Sequence, residues 1–292
     1  MVVFHRICAA FFARVAYAVF RLTGWKRPTV DANLRHVGVA TGGKCAGAMY
    51  RDILHNLVRH AGELIFRFGT FKKLPREVGA YPCRVDGWDF GIAEGSAAVL
   101  EKMRGGGIFL TAHYGNYEAI GPWLCSLGIP LKASYIPVRP AWLNRILEGK
   151  IRAVGGYRYS VDTRTPREFL RLLDSGSLFC LLADQDSRIP SAIDGKFMGR
   201  PVRNNPLPGF LLKYRPATPV YVCWMDEPAP SQKVLHAVEI PTSSVMDSFN
   251  AWLEERIAEN PRLWYGFTHR RFLSLEPSLY TGACGKKPVR AG

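Results

Sequence analysis

Hydrophobic residues in this chain follow two different spacings, which take turns along the sequence. Continuous apolar runs typical of buried strands cover 107–112, 131–136, 177–183, 219–224 and 233–240. Around these runs, apolar residues recur at helical spacing over 44–68, 92–104, 116–127, 140–154, 165–174, 207–215 and 245–259. Strands that alternate with helices of about 10–15 residues are typical of a parallel sheet that is covered on both faces. We therefore predict an α/β fold with a mostly parallel sheet flanked by helices.

The N-terminus contains a longer apolar run that an arginine interrupts. Residues 7–20 are almost wholly apolar, but Arg14 interrupts them and Arg21 follows on the same helical face. The run is too short and too charged for an easy membrane span, which needs ~20 apolar residues, and no small-residue cleavage site ends it. An amphipathic helix that lies in the membrane interface fits best. A membrane span and an ordinary docking helix are the alternatives.

The remaining sequence indicates one body behind this helix. No repeat or low-complexity tract divides the middle of the chain. We predict a membrane-associated helix over 1–29, a main domain over 30–276 and a flexible basic tail over 277–292. Basic residues after the first helix outweigh those before it, so either membrane arrangement places the main domain on the inner face of a bilayer.

One short motif carries most of the candidate chemistry. His113 directly follows the apolar run 107–112, and Glu118 comes five positions later. On one continuous helix such positions point about 140° apart, so the two side chains meet only if His113 ends the strand and Glu118 lies in the first helical turn. Gly115 permits the sharp turn, and Asn116 is a good N-cap. We interpret the motif as a histidine base that Glu118 orients, with amides around Gly115 and Asn116 as candidate oxyanion donors; a purely structural histidine is the alternative.

Further polar groups fall at the carboxyl ends of predicted strands, where ligands bind in parallel sheets. Arg139 follows the second run, and Asp184, Gln185 and Asp186 follow the third. A guanidinium at Arg139 is suited to an oxyanion or a phosphate. We expect the aspartates to orient substrate hydroxyls or that guanidinium, or to form structural ion pairs. With His113 they also leave a hard-cation site open, although no second histidine stands near.

Charge and cysteine content narrow the partners. The 292 residues carry a formal net charge of +15, which predicts an anionic partner: nucleic acid, an anionic lipid surface or an acidic carrier protein. The seven cysteines are scattered and never form a C-x-x-C pair, which favours reduced thiols and disfavours a zinc site. Residues 263–272 mix aromatic and basic side chains, but no nucleic-acid-binding motif accompanies them, so nucleic acid is a poor second interpretation.

Five ordered blocks of the sequence resemble one known family. They are Gly-Ile-Phe-Leu-Thr-Ala-His-Tyr-Gly-Asn-Tyr-Glu at 107–118, Val-Arg-Pro at 138–140, Leu-Leu-Ala-Asp-Gln-Asp at 181–186, Phe-Met-Gly at 197–199, and Trp followed by His-Arg-Arg-Phe within 264–272. Their order and spacing resemble the bacterial lipid A late acyltransferases, the lauroyl and myristoyl transferases of lipopolysaccharide assembly. The similarity runs from about residue 30 to residue 273.

The resemblance implies a glycerolipid-acyltransferase-like fold and a membrane-associated enzyme. Such an enzyme moves a fatty acyl chain from an acyl-carrier-protein thioester to a hydroxyl of an anionic glycolipid, a lipid A precursor, at the cytoplasmic face of the inner membrane. No cofactor and no nucleic-acid partner are implied. His113 and Glu118 would match the family's catalytic pair, Arg139 its Arg-Pro block, and Asp184 and Asp186 its paired aspartates.

Two departures from the family pattern bear on the acceptor and on chain length. Residues 201–208 replace the usual threonine-rich stretch after 197–199, and residues 265–267 widen the last block. Alternatives are therefore an acyltransferase that acts on another phospholipid or glycolipid, and a metal-dependent hydrolase that uses His113 with the 184–186 carboxylates. A catalytically idle membrane or nucleic-acid binder is the third.

Overall fold

The structure is a computed structural model, and it describes residues 2–39, 43–135, 139–150, 152–162, 165–229 and 231–281. In chain order the described helices are α1 (Val2–Thr23), α2 (Arg27–His36), α3 (Gly43–Phe71), α4 (Ser96–Met103), α5 (Tyr117–Ser126), α6 (Ala141–Lys150), α7 (Pro166–Asp174), α8 (Leu207–Tyr214) and α9 (Val245–Glu259). Short 3₁₀ turns cover Val78–Ala80, Pro261–Leu263, Tyr265–Thr268 and Pro277–Tyr280.

The described strands are mostly short. They are β1 (Cys83–Val85), β2 (Trp88–Ile92), β3 (Gly107–Thr111), β4 (Leu131–Ser134), β5 (Ala153–Val154), β6 (Tyr157–Arg158), β7 (Ser160–Val161), β8 (Leu178–Leu182), β9 (Ile193–Phe197), β10 (Arg200–Asn204), β11 (Val220–Asp226) and β12 (Gln232–Glu239). Within the described residues, eight of them form one sheet in the order β1-β2-β12-β11-β3-β8-β4-β7. Its neighbours run parallel except for the β1–β2 and β11–β12 pairs. The predicted α/β class with a mostly parallel sheet is confirmed.

The centre of the sheet is buried on both faces because helices cover it from both sides. All five residues of β3 are buried. Ile108 and Leu110 pack into one hydrophobic cluster, and Phe109 between them packs into the other. This alternation follows from the pleat of a strand, in which successive side chains point to opposite faces. It explains why β3 reads as a continuous apolar run.

Two helices are shorter in the structure than their apolar patterns predict. The helix predicted over 140–154 ends at Lys150, and Ala153–Val154 instead forms β5, which pairs with β6. Gly155 and Gly156 both adopt positive φ, as a two-residue hairpin turn requires. The helix predicted from residue 92 begins at Ser96, since β2 continues to Ile92 and Gly95 precedes the first helical residue.

The C-terminal boundary of the packed structure also lies beyond the predicted one. Residues 277–280 form a 3₁₀ turn, and Tyr280 is buried with its hydroxyl donating to Asn33 Oδ1 at 2.6 Å. The predicted basic tail over 277–292 therefore starts too early. Residues 282–292 lie outside the described residues.

Helix α1 packs along α3 and leaves its other side exposed. Ala9 O lies 2.8 Å from where a Cβ on Gly62 would be, so the glycine permits close contact between the two helices. The ring centroids of Phe12 and Phe66 are 5.9 Å apart. Among the described helices, α1 is the one long and apolar enough to cross a membrane, with a mean hydropathy of 1.5. Its exposed apolar side chains are Val3, Phe4, Ile7, Phe11, Val15, Val19 and Leu22.

Candidate active site

The parallel pairing of β3 with β8 brings the two halves of the site together. Thr111 lies opposite Leu182 at the carboxyl ends of these strands. His113 comes two residues after one strand end, and Asp184 comes two residues after the other. The predicted convergence of these two side chains at one edge of the sheet is therefore present.

Asp184 holds His113 at two points. His113 Nδ1 lies 2.8 Å from Asp184 Oδ1, and the His113 backbone N–H donates to Asp184 Oδ2 at 3.0 Å. An ionised carboxylate only accepts hydrogen bonds, so Nδ1 carries the proton. The neutral imidazole then presents the lone pair of Nε2. A histidine held in this tautomer by a carboxylate is a positioned general base.

A third donor completes the environment of the Asp184 carboxylate. Trp264 Nε1–H donates to Asp184 Oδ2 at 2.9 Å, and both side chains are fully buried. The backbone beside Trp264 also holds the turn from His113 to Asn116, which we call the catalytic turn after its candidate base. Tyr265 N–H donates to His113 O at 2.7 Å, and Gly115 N–H donates to Leu263 O at 2.9 Å. The chain around residue 264 therefore fixes both partners of the His113–Asp184 pair.

The electrostatics of the pair follow from burial and mutual attraction. Burial lowers the pKa of His113, but the Asp184 carboxylate outweighs it and raises that pKa above 6.5. Burial raises the pKa of Asp184, yet the hydrogen bonds and charge of His113 hold it well below its usual range. The His269 ring centroid lies 4.9 Å from that of His113, with the two rings tilted at 41°. Burial, together with the charge of His113, lowers the pKa of His269 to about 4. His269 is thus neutral beside the base.

Glu118 occupies a different place from the one its spacing predicts. It lies in the first turn of α5, as expected, but Asp184 and not Glu118 is the hydrogen-bond partner of His113 Nδ1. The Glu118 carboxylate lines a cavity and acts on His113 through its charge. Burial raises the pKa of Glu118, while the charge of Arg152 opposes that rise. The expectation that Glu118 orients the imidazole is therefore corrected, because the neighbouring strand supplies the orienting carboxylate.

A cavity of about 660 Å³ opens beside the pair, between the ends of β3, β4, β7 and β8. This volume lies within the ~300–1,000 Å³ typical of small-molecule sites. Gln185 lines the cavity, and its side-chain nitrogen lies 3.4 Å from His113 Nε2. Its other walls are Phe109, Thr111, Tyr117, Glu118, Gly121, Leu131, Ala133, Ser134, Tyr135, Arg152, Tyr159, Ser160, Asp162, Phe169, Cys180, Leu181 and Leu182.

Arg152 is a cavity residue that the sequence did not single out. Its guanidinium lies 4.3 Å from the Tyr135 ring centroid. Its Nη1 atom is buried and has no hydrogen-bond partner among the described residues. A buried guanidinium nitrogen with a free donor is suited to an oxyanion or a carbonyl oxygen. The predicted helix over 140–154 does not indicate this position, because α6 ends at Lys150 and Arg152 lies just before the β5–β6 hairpin.

The other predicted site residues have other positions. Arg139 is exposed at the start of α6 and does not line the cavity. Asp186 turns away from His113 and accepts a hydrogen bond from Ser274 Oγ at 2.7 Å. The Asn116 side chain donates to Glu63 Oε2 at 3.0 Å. Gly115 N–H already donates to Leu263 O, so it is not available as an oxyanion donor, and an oxyanion role for the Asn116 backbone amide stays a prediction.

Metal ligands do not gather at this site. In the part of the chain that the structure describes, no group of three or more His, Cys, Asp and Glu side chains is arranged to hold a metal ion. Asp184 and Asp186, which the sequence placed together as possible ligands, bond to different partners.

Comparison with known families identifies the class of protein. Residues 5–274 match the profile of the family described as Bacterial lipid A biosynthesis acyltransferase. The match covers most of the chain and includes every predicted site residue. A comparison with curated protein sequences gives no significant match.

We predict that Asp184→Asn lowers the pKa of His113. In the wild type the carboxylate raises that pKa above 6.5. In the variant the burial remains and only the weaker attraction of Glu118 opposes it, so His113 should titrate below 6.5. Imidazole resonances followed by NMR against pH measure both values, and circular dichroism checks that the variant is folded. A His113 pKa that is the same in both proteins would contradict the assignment of Asp184 as its partner.

Proposed function

The chain belongs to the bacterial lipid A biosynthesis acyltransferase family and is an acyltransferase, and we propose that it transfers a fatty acyl chain from an acyl-carrier-protein thioester to a hydroxyl of a lipid A precursor. The observation that carries this proposal is the His113–Asp184 pair at the side of a cavity of about 660 Å³. Such a pair supplies a base for a hydroxyl group, and the cavity supplies room for an acyl chain.

The proposed reaction begins with removal of a proton from the acceptor hydroxyl by His113 Nε2. The Asp184 carboxylate stabilises the imidazolium that forms, because the two groups are hydrogen-bonded and buried. The hydroxyl oxygen then attacks the thioester carbonyl carbon. When the tetrahedral intermediate collapses, the C–S bond breaks, and the imidazolium returns its proton to the leaving thiolate.

Two residues of the cavity are proposed to support the developing charge. Arg152 Nη1 has a free donor within the described structure, and we assign it to the oxyanion of the tetrahedral intermediate. Glu118 faces the same cavity and interacts with the charge of Arg152. We therefore keep Glu118 as a catalytic-site residue that orients this guanidinium and adds to the basicity of His113.

Direct transfer without an acyl-enzyme is proposed from the state of the nearby thiols. Cys180 lines the cavity, and Cys125 lies on α5. Burial raises the pKa of Cys125 to about 12 and raises that of Cys180 as well. A thiol is a poor nucleophile until it is deprotonated, so the acceptor hydroxyl is the better attacking group.

The proposed partners are all anionic. An acidic carrier protein, a phosphorylated glycolipid and an anionic membrane surface each suit a chain of net charge +15. Arg139 is exposed outside the cavity, and we propose that it contacts the phosphorylated head of the acceptor. Gln185, at 3.4 Å from His113 Nε2, is proposed to guide the acceptor hydroxyl.

We propose that the protein lies on the cytoplasmic face of the inner membrane and that α1 binds it there. One side of α1 packs against the protein, and the other side is exposed. Its inner side packs on α3 close to Gly62, and α3 carries charged groups such as Arg59 and Glu63 that contact the main domain. A helix docked along such a partner is poorly placed to cross a bilayer by itself. We propose that α1 lies in the interface with its exposed apolar side chains among the lipids.

The reaction is tested with purified protein in detergent, a lipid A precursor and a panel of acyl-carrier-protein and coenzyme A thioesters, with products read by mass spectrometry. The wild type should yield a product heavier by one acyl chain, and His113→Ala should yield none above background. Folded protein that gives no product with any donor would reject lipid A as the acceptor. A panel of other phospholipid and glycolipid acceptors would then be assayed.

The same assay distinguishes the proposed role of Arg152 in the chemical step from that of Arg139 in acceptor binding. Arg152→Ala removes a proposed oxyanion donor, so kcat should fall about 10²–10³-fold. Arg139→Ala removes an exposed charge and should raise the KM for the acceptor with little change in kcat. Equal kcat for Arg152→Ala and wild type would remove Arg152 from the mechanism.

Membrane binding is tested by flotation with vesicles that contain phosphatidylglycerol. The double variant Ile7→Asp and Phe11→Asp places charge on the exposed face of α1 and should weaken binding at least tenfold, since each apolar side chain contributes ~1.5–3 kcal/mol when buried. Ile193→Asp with Tyr214→Asp is the matched control, because these exposed apolar residues lie outside α1. Loss of binding in the control alone would place the membrane face elsewhere.

A further inference from the structure

A cluster of mostly buried charged side chains contacts the turn from His113 to Asn116 and takes no part in the proposed reaction. Arg59 and Glu63 on α3, Lys233 on β12 and Glu227 after β11 form it, together with His60; we call this set the buried charge cluster. Lys233 Nζ contacts Glu63 Oε2 at 3.0 Å and also contacts Glu227. Arg59 contacts Glu63 Oε1 at 3.1 Å and also Glu227. Two cations thus balance two carboxylates, as burial of charge requires.

Tyr265 joins this cluster to the catalytic histidine. Its hydroxyl lies 2.6 Å from His60 Nδ1, and its backbone N–H donates to His113 O at 2.7 Å. A second contact comes from Asn116, whose side chain donates to Glu63 Oε2 at 3.0 Å. The cluster therefore holds the turn from His113 to Asn116 at both of its ends.

Both ring nitrogens of His60 are engaged. Burial lowers the pKa of His60, so its imidazole is neutral. Its Nε2 atom lies 2.9 Å from Glu227 Oε2 and 2.7 Å from Arg59 Nη2, and its Nδ1 atom lies 2.6 Å from the Tyr265 hydroxyl. That hydroxyl can donate to Nδ1 or accept from it, so either tautomer of His60 keeps the contact. Glu227, His60 and Tyr265 form a connected series that ends on the backbone of His113.

We propose that Tyr265 and His60 are positioning residues for the catalytic histidine, which they hold in register with Asp184. This inference rests on the proposed function, in which His113 is the base. His113 meets Asp184 through both its backbone N–H and its Nδ1 atom, so a small shift of the turn disturbs both contacts. A misplacement of about 1 Å at a catalytic group can cost 10²-fold in rate.

The test is Tyr265→Phe, which removes one hydroxyl and keeps the ring that packs in the core. We expect kcat for acyl transfer to fall about tenfold, within the range for a misplaced catalytic group, while the KM values of both substrates change less than about twofold. The matched control is Tyr50→Phe. Tyr50 is equally buried, and its hydroxyl donates to Trp25 O at 2.8 Å, far along the chain from the catalytic turn.

Two results would overturn the proposal. One is a Tyr265→Phe enzyme with wild-type kcat. The other is an equal loss of kcat in Tyr50→Phe, which would show that any lost core hydroxyl has this effect. His60→Asn offers a rescue arm, since its side-chain amide can still form a hydrogen bond with the Tyr265 hydroxyl near the position of Nδ1, and it should retain more activity than His60→Ala.

A readout that needs no substrate separates this proposal from the proposed function. The titratable groups around His113 are Asp184, Glu118, Tyr117 and His269, and Tyr265→Phe changes none of them. Loosened contact with Asp184 should still lower the His113 pKa measured by NMR in this variant, and Tyr50→Phe should leave it unchanged. If the wild type forms no acylated product, a lowered His113 pKa in Tyr265→Phe still supports the positioning role, and an unchanged one refutes it.

Discussion

The carboxylate of Asp184 sets the strongest constraint on this structure. Its side chain is fully buried, and a buried charge is tolerated only when partners compensate for the water it loses. Three N–H groups do so: Nδ1 and the backbone of His113, and Nε1 of Trp264. These donors come from two parts of the chain that are distant in sequence from Asp184 and from each other. The fold must bring all three segments together for the carboxylate to be stable, and that requirement also builds the site.

The rest of the architecture serves this meeting. Parallel pairing of β3 with β8 puts His113 and Asp184 at the same edge. An isolated bridge between Tyr114 and Trp264 then attaches the third segment. The cavity lies between the same strands, and Gln185 in its wall is 3.4 Å from His113 Nε2. At the end of the turn, the Asn116 side chain donates to Glu63, which in turn pairs with Lys233.

The sequence predicts the individual elements well, because each depends on local spacing. The apolar run before His113 and the turn at Gly115 placed the histidine at a strand end, which the structure confirms. The same reasoning assigned Glu118 as the partner of His113. Glu118 is close in sequence, whereas Asp184 is 71 residues away and meets His113 only because β3 and β8 are neighbours. Strand order depends on the packing of the whole sheet, and it cannot be predicted from the spacing of hydrophobic residues along the sequence.

Arg152 and Lys233 illustrate two other limits of sequence reasoning. Arg152 follows an amphipathic helix without a break in its apolar pattern, and only the pair of positive-φ glycines at 155–156 turns the chain back toward the cavity. Those glycines are the signal that could have found it. Lys233 lies in a strand that reads as half-buried, and nothing local marks it as fully buried between Glu63 and Glu227. A buried ion pair is recognisable only once both partners have been brought together in space.

The central claim is that His113 is the base and that Asp184, more than Glu118, sets its basicity. The pH dependence of kcat/KM for acyl transfer, measured for the wild type, Asp184→Asn and Glu118→Gln, tests it most directly. Activity should rise through an apparent pKa above 6.5 in the wild type, as His113 loses its proton. That inflection should move to lower pH in Asp184→Asn and move less in Glu118→Gln. A larger shift in Glu118→Gln than in Asp184→Asn would contradict the account.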